Sequence, residues 1–573
     1  MTQPQTMLLL TIASGYLALP GIAQSAPGLK VTVTSNQDTI APDDGLTLRE
    51  AITLTNGKLA PDQMSAAERA LVQSSSDGTT RIEFNLPADQ ATIRLTEVLP
   101  AIERPGVTID GTTQPGYKPD AIINELPLAS PVVAIAPAEG REVFRGLTVT
   151  ADGVTIRGLS LYGFTSNHRS TASTPPADIF ISHRLPPPDI SKQPTPANFS
   201  PFYRDDLPPK DVVIENNFLG IPPRGTQAST QERSAFGVYV FNSTGAQIRR
   251  NWIANHDGSA IITSVNAENL RVTENALIGN GVAGMPDALR LEGKVNQAQI
   301  TGNLICANDG SGVYLFKPEG AVQIQGNQII ANGRRLRRSA VHLMGSNHQV
   351  TGNQIRYQVG PGVVVAADPD SRNNQIQSNR FSNLEGLSID LVTRNAADIS
   401  TYQRGDGANP PRDTGNRRQD TGNAGVNAPQ FVAREFIALG TQTAAPVRAN
   451  PVQIYGKADP GAQIEIYRAT GQENYGPLNE PIATTQADDK GNFSHTLDNL
   501  RVGEQISAAA TDSRYGTSEP ARNAVIRSLS ASPSPNSPVA PTSSPRCTTP
   551  VAQQPPPVEP LPPSPIRIQI PSR

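Results

Sequence analysis

Arg290, Tyr314 and His342 are the side chains whose types and spacing could do chemistry on a ligand. Each stands between two aliphatic residues, in Leu289-Arg290-Leu291, Val313-Tyr314-Leu315 and Val341-His342-Leu343. In a strand the aliphatic neighbours point one way and the middle residue the other. The same pattern adds Tyr239, Ile262, Val364 and, with Leu387 and Ile389 taken as the last inward pair, Asp390. Stacked at about 4.8 Å per strand, Arg290, Tyr314 and His342 form a row of roughly 10 Å. An arginine fork pairs with a carboxylate, aromatic rings stack on sugar faces, and a histidine or tyrosine beside them could take a proton in a β-elimination. Glycoside hydrolysis needs two opposed carboxylic acids instead. Asp257, Asp309 and Glu385 each follow a repeated asparagine by six residues, yet each precedes a glycine and reads as a turn carboxylate.

A second group is oxygen-rich. Asp406, Asp413, Asn416, Asp420 and Asn423 fall on a glycine-rich segment that contains the tetrad Asp-Thr-Gly-Asn twice. Such ligands suit a hard cation, and Ca²⁺ at this joint is the one cofactor the sequence suggests; Arg412, Arg417 and Arg418 oppose it. Two further loops carry charge. Residues 171–209 hold ten prolines in 39 positions and read as an insertion between coils, with His168, His183, Asp205 and Asp206 as solvated residues. Arg334 to Arg338 place four arginines within five residues and read as a solvated turn.

What must position the row is a repeat. Seven segments fit [Ile/Val]-x-x-Asn-x-[Ile/Leu/Phe], with Asn217, Asn251, Asn275, Asn303, Asn327, Asn353 and Asn379 at steps of 34, 24, 28, 24, 26 and 26 residues. An earlier copy, Ile156 to Leu161, has Leu159 at the asparagine position. Each repeat holds short apolar-polar alternations separated by glycine turns. Period two means strands, and about three short strands per 22–28 residues means one coil of a parallel β-solenoid. The expected fold is all-β, a right-handed parallel β-helix, the usual hand of parallel crossovers. The asparagines are expected to stack at a coil corner. Their amides carry both donor and acceptor, and asparagine tolerates the left-handed conformation a sharp corner requires.

Composition agrees. Of 573 residues 17% are charged, and glycine and proline number 47 and 52, which argues against long helices. Net charge is −3, too little positive field to draw in nucleic acid. The two cysteines, Cys306 and Cys547, exclude a disulfide framework and any cysteine-rich zinc site.

The flanks carry further patterns. Residues 1–25 read as a signal peptide, apolar from Met7 to Ala23 with small residues before cleavage, and nothing after it is long enough to span a membrane. Val31 to Asp38 followed by Thr47-Leu48-Arg49-Glu50-Ala51-Ile52 resembles the N-terminal signature of bacterial exported β-helix proteins of the CSLREA type, with Leu46-Thr47 in place of Cys-Ser. Ile109 to Tyr117, Gly386 to Leu391, Asp420 to Asn423 and Asn427 to Gln430 are similar to later motifs of that family. The resemblance implies a secreted or surface β-helix protein and no defined reaction. Leu48, Ala51 and Ile52 lie on one face of a short helix capped by Thr47 or Asp44, suited to cover the open first coil.

The expected organisation is therefore a cap with first coils over 26–150, the β-helix over 151–400, a linker over 401–430 and a β-sandwich over 431–528. The sandwich, by Gly456 to Ala462, Asp489 to Phe493 and Ala510 to Glu519, resembles bacterial Ig-like modules. Residues 529–573, with 14 prolines in 45 positions, read as a disordered tail. Together these imply an exported, monomeric surface protein that binds extended polysaccharide or a neighbouring envelope surface without catalysis. A polysaccharide lyase or hydrolase on the outer row and a structural spacer are the alternatives.

Overall fold

Alternation and glycine turns wind the chain into coils. In a computed structural model that describes residues 28–528, except 124–125, 167–174, 185–206, 224–231, 368–370, 394–402, 413, 415–419, 439–450 and 472–473, each coil adds one short strand to each of three sheets. Sheets A, B and C hold 12, 10 and 9 strands, and successive coils pair in parallel. One coil illustrates the pattern, with Ala298–Thr301 in sheet A, Leu304–Cys306 in sheet B and Val313–Glu319 in sheet C. Ile300, Ile305 and Val313 point inward, pair in register with Val272 and Ile324, Leu277 and Ile329, and Leu289 and Val341, and are fully buried. Burying each such side chain contributes about 1.5–3 kcal/mol. No coil could bury them alone.

Sheets A and B meet at the asparagine corner. From Asn217 through Asn353, each backbone N–H donates to Oδ1 of the next ladder asparagine, ending at Asn379, as from Asn275 to Asn303 at 2.9 Å and from Asn303 to Asn327 at 2.9 Å. Nδ2 of Asn303 also donates to the Val272 carbonyl at 2.8 Å. At the upper end Asn217 Oδ1 accepts from Leu159 N, so the ladder stops where leucine replaces asparagine. The left-handed residue is the one before the ladder asparagine, not the asparagine: Asn216, Arg250, Glu274 and Ser378 have φ between 52° and 57°, and glycines serve at 302, 326 and 352. The corner thus divides the labour, with one residue turning the backbone and the next satisfying it.

Two more ladders flank the first at a constant offset. Five residues after the ladder asparagines, His256, Asn280, Asn308 and Asn332 repeat the pattern at the corner between sheets B and C. His256 Nε2 bonds to Asp178 at 2.8 Å, both fully buried. Five residues before, His348 and Asn374 do the same between sheets C and A, and Asn423, from outside the repeat, adds the last rung.

Both ends are closed. Helix α1 (Leu48–Thr55) begins at a capping box in which Thr47 accepts from Glu50 N and the Glu50 carboxylate accepts from Thr47 N. It buries Leu48, Ala51 and Ile52 over the first coil. Arg49 is structural, pairing with Asp38 at 2.8 Å and donating to the Glu97 and Val98 carbonyls. At the other end, residues 430–528 form two facing sheets around their own core of Ile454, Ile464, Phe493 and Ile506. This sandwich sits on the last coil. Thr517 Oγ1 accepts from Ile376 N at 2.8 Å, the Glu465 carboxylate accepts from Ser378 N, and Tyr467 is buried with the solenoid core.

Two expectations change. Residues 171–209 are not wholly an insertion, because Ala177–Ile181 is a strand of sheet C between Arg145–Val149 and Val238–Thr244. Its prolines lie outside the strand, where they cost no ladder bond. The joint after the last coil is no loose hinge, since residues 421–426 are buried and Thr393 bridges Thr421. Cys547, the signal segment and the proline-rich tail lie outside the described residues.

Candidate functional site

Sheet C sets the proposed row in register. Phe180, Tyr239, Ile262, Arg290, Tyr314, His342, Val364 and Asp390 are successive pairing partners. The last inward pair is Ile389 and Leu391, which flank Asp390, and not Leu387 and Ile389. The arginine lies over Tyr314 at 4.9 Å, and the Tyr314 and His342 rings are 5.0 Å apart.

The row does not face solvent, however. Tyr314, His342 and Asp390 are 5%, 0% and 2% exposed. Two segments lie over them. Residues 334–339 bring Arg338, and residues 403–409 bring Gln403, which accepts from Ser339 N at 2.8 Å and bonds to the Tyr314 hydroxyl. His342 cannot serve as a solvent-exposed base, because burial holds its imidazole down to about 3. The expected open surface at Tyr314, His342 and Asp390 is therefore corrected.

The arginine run is equally structural. Arg335 pairs with Asp309 at 3.0 Å, Arg337 with Glu385 at 2.5 Å and Arg338 with the fully buried Asp287 at 3.1 Å. Arg334, Arg335, Arg337 and Glu385 stay exposed, as a solvated turn requires, while Arg338 reaches inward to Asp287 and Asp309 is the partner of Arg335. His183 is likewise buried, against Asn242; His168, Asp205 and Asp206 lie outside the described residues.

At the far end Asp390 accepts from Asp406 N at 3.2 Å and Gly407 N at 3.1 Å. Burial, with Glu519 and Asp406 nearby, raises its carboxyl well above the usual range. A carboxyl whose folded pKa exceeds its unfolded one stabilises fully below the unfolded value, and that stability is lost as pH rises towards the folded one. Asp390→Asn keeps an acceptor for one of the two N–H groups and has nothing to titrate, so the lost bond shifts its stability by the same amount at every pH. Its melting temperature relative to wild type is expected to climb as pH rises from 4 to 8, and a flat difference would contradict a neutral Asp390.

Of the five calcium candidates, Asp406, Asp420 and Asn423 are among the described residues. Asn423 is the last rung of the third ladder, accepting from Asn374 N and donating to the Asn374 and Thr517 carbonyls. One Asp406 oxygen holds Thr393 N and Oγ1. Asp413 and Asn416 lie outside the described residues, and among the described residues no three His, Cys, Asp or Glu side chains, Asp420 included, come together to hold a metal.

What remains accessible is a second row, two residues further along the same strands. Phe241, Ser264, Glu292 and Phe316 are half-buried, with Glu292 and Phe316 in register. Arg290, with 15% of its side chain exposed, links the two rows: it bonds Glu292 and lies 4.8 Å over Phe316. Phe241 joins Phe180, Tyr239 and, through Tyr239, Phe236 in one aromatic cluster with centroids 5.5–6.3 Å apart. The same alternation that marks Arg290 and Tyr314 marks Glu292 and Phe316, so this row was legible and missed. It offers flat apolar rings, one guanidinium and one carboxylate to a ligand lying across the coils. Residues 210–355 match the family model of the right handed beta helix region.

No curated protein matches the chain. Among solved structures, Dettilon tailspike protein (gp208) is similar over 74% of this chain and 86% of its own, at 12% identity and a TM-score of 0.36. The periplasmic alginate epimerase AlgG covers 55% of this chain and 72% of its own at 13% identity and a TM-score of 0.27. DFA-IIIase from Arthrobacter chlorophenolicus A6 covers 61% and 72% at 12% identity and a TM-score of 0.26. These likenesses are of fold alone. Among the described residues no helix is long and apolar enough to cross a membrane.

Proposed function

We propose that the protein is an exported surface β-helix protein that binds extended polysaccharide along the outer face of sheet C, without catalysis. The observation that carries this reading is the half-buried Phe241–Ser264–Glu292–Phe316 row with Arg290 beside it. The rings at the two ends of the row, Phe241 and Phe316, suit a chain molecule of repeating flat units lying across the coils, and the polar groups between them suit hydroxyls. The side chains that could do acid-base chemistry on the neighbouring row, His342 and Asp390, are sealed beneath loops, which supports binding over turnover. Export is supported by the apolar leader and the proline-rich tail of the sequence. The capping role of α1 is what the CSLREA-type motif would be kept for, and the two-sheet module after residue 430 accords with an Ig-like spacer.

Phe316→Ala is expected to weaken polysaccharide binding about fivefold or more, with the melting temperature within about 2 °C of wild type. A glycan array followed by titration of the best ligand measures it, and absorbance of unsaturated sugars is expected to stay flat. Undiminished binding in Phe316→Ala and Phe241→Ala together would move the site off this face.

A further inference from the structure

A groove of about 650 Å³ lies where the chain leaving the solenoid meets the sandwich. Phe431, Arg434, Tyr475, Pro520 and Arg522 line it, and among the described residues no acidic side chain does. Its volume falls within the range of small-ligand sites. The two arginines are brought together by paired strands: Glu435–Ala438 and Ala524–Ser528 run side by side, Arg434 immediately precedes the first and Arg522 stands two residues before the second. Both are anchored on one turn. Arg434 donates to Asn474 Oδ1 at 2.8 Å, and Arg522 Nε donates to the Tyr475 hydroxyl at 2.9 Å.

Neither guanidinium has a carboxylate partner among the described residues, whereas Arg527, Arg468 and Arg514 nearby pair with Glu435, Glu480 and Asp512. The anchoring bonds use one nitrogen of each fork, so the remaining N–H groups are left to the groove. The Tyr475 hydroxyl accepts from Arg522 and keeps its own proton to donate. Two guanidiniums with no carboxylate partner among the described residues, beside Tyr475 and the half-buried ring of Phe431, are complementary to a carboxylate carried on a flat ring.

We infer that this groove binds a uronate-bearing saccharide, the carboxylate on Arg434 and Arg522 and the sugar ring against Tyr475 and Phe431. The proline-rich tail is the rival occupant, because prolines and aromatics line the groove. Its charged side chains are Arg546, Arg567 and Arg573 against Glu559 alone, so like charge disfavours it. The inference is independent of the face of sheet C.

The test is calorimetric titration of the full chain with tetragalacturonate, tetraglucuronate and tetramannuronate, and with the methyl ester of whichever binds. Binding of at least one free acid, weaker by about tenfold or more as the ester, is expected. Arg434→Gln/Arg522→Gln is expected to lose about tenfold or more with an unchanged melting temperature, and Arg522→Glu to abolish binding. Phe316→Ala is expected to leave this binding intact. Three results would overturn the inference: no uronate bound at millimolar concentration, equal affinity in the double glutamine variant, or displacement of the uronate by a peptide of residues 529–573. Loss in Phe316→Ala with no loss in the double variant assigns the uronate to sheet C, leaving the outer-face reading standing and this one refuted.

Discussion

Asn303→Leu is expected to destabilise the solenoid by roughly 3–5 kcal/mol. The substitution removes the Oδ1 that accepts Asn275 N at 2.9 Å and Asn275 Nδ2 at 3.0 Å, and the Nδ2 that donates to Val272 O at 2.8 Å. All three partners are buried in a corner that leucine cannot satisfy, and each orphaned group costs about 1–3 kcal/mol. Neighbouring coils depend on each other for their core, so the loss is felt beyond one coil. The midpoint of urea unfolding, with the slope checked for two-state behaviour, is the measurement. Gln323→Leu on the exposed side of sheet A is the control, expected within about 0.5 kcal/mol of wild type. Equal midpoints for the two variants would sink the account of the ladder as a stabilising element.

The second large effect is pH-dependent. His342 is fully buried and held neutral to about 3, against about 6.5 for a histidine in the unfolded chain. A base with a depressed folded pKa contributes its full stability above the unfolded value and loses it as pH falls. Between pH 7 and 4.5 the loss from this one group is about 3 kcal/mol. His342→Phe keeps a ring stacked on Tyr314 and has nothing to titrate. Its stability relative to wild type is therefore expected to rise by about 3 kcal/mol over that interval, whatever its offset at pH 7. The sign is opposite to that expected for Asp390→Asn, so the two difference curves separate the groups although both titrate within one molecule. His348, buried and held down to about 4 between Val322 N and the Met344 carbonyl, contributes equally to both curves of the His342 comparison and cancels. A difference curve without slope would mean that His342 is hydrated in the native state.

Much of the candidate site was legible because a strand alternates and a coil repeats. The register from Tyr239 to His342 follows from aliphatic pairs that must point inward, and sliding a strand by one residue would expose them all. The aromatic row at Phe241 and Phe316 obeys the same alternation. The flanking ladders were equally within reach, since Asn280, Asn308 and Asn332 stand five residues after Asn275, Asn303 and Asn327. Asn423 was not: it completes a ladder from outside the repeat, and the tetrad that contains it looks like a ligand loop.

The sequence by itself determined the coil, its inward core and the asparagine corner, because these depend on contacts between equivalent positions of adjacent repeats. A recurring pattern needs no knowledge of remote segments to be read. Only the tertiary structure decided which outward side chains meet solvent. Residues 334–339 and 403–409 lie across Tyr314, His342 and Asp390, Glu519 of the sandwich approaches Asp390, and Tyr467 and Thr517 close the last coil. These segments follow no period. Their placement is set by the charges and backbone groups they satisfy, such as Arg338 on Asp287 and Asp390 on the N–H groups of 406 and 407, and those pairings exist only once the coils are stacked.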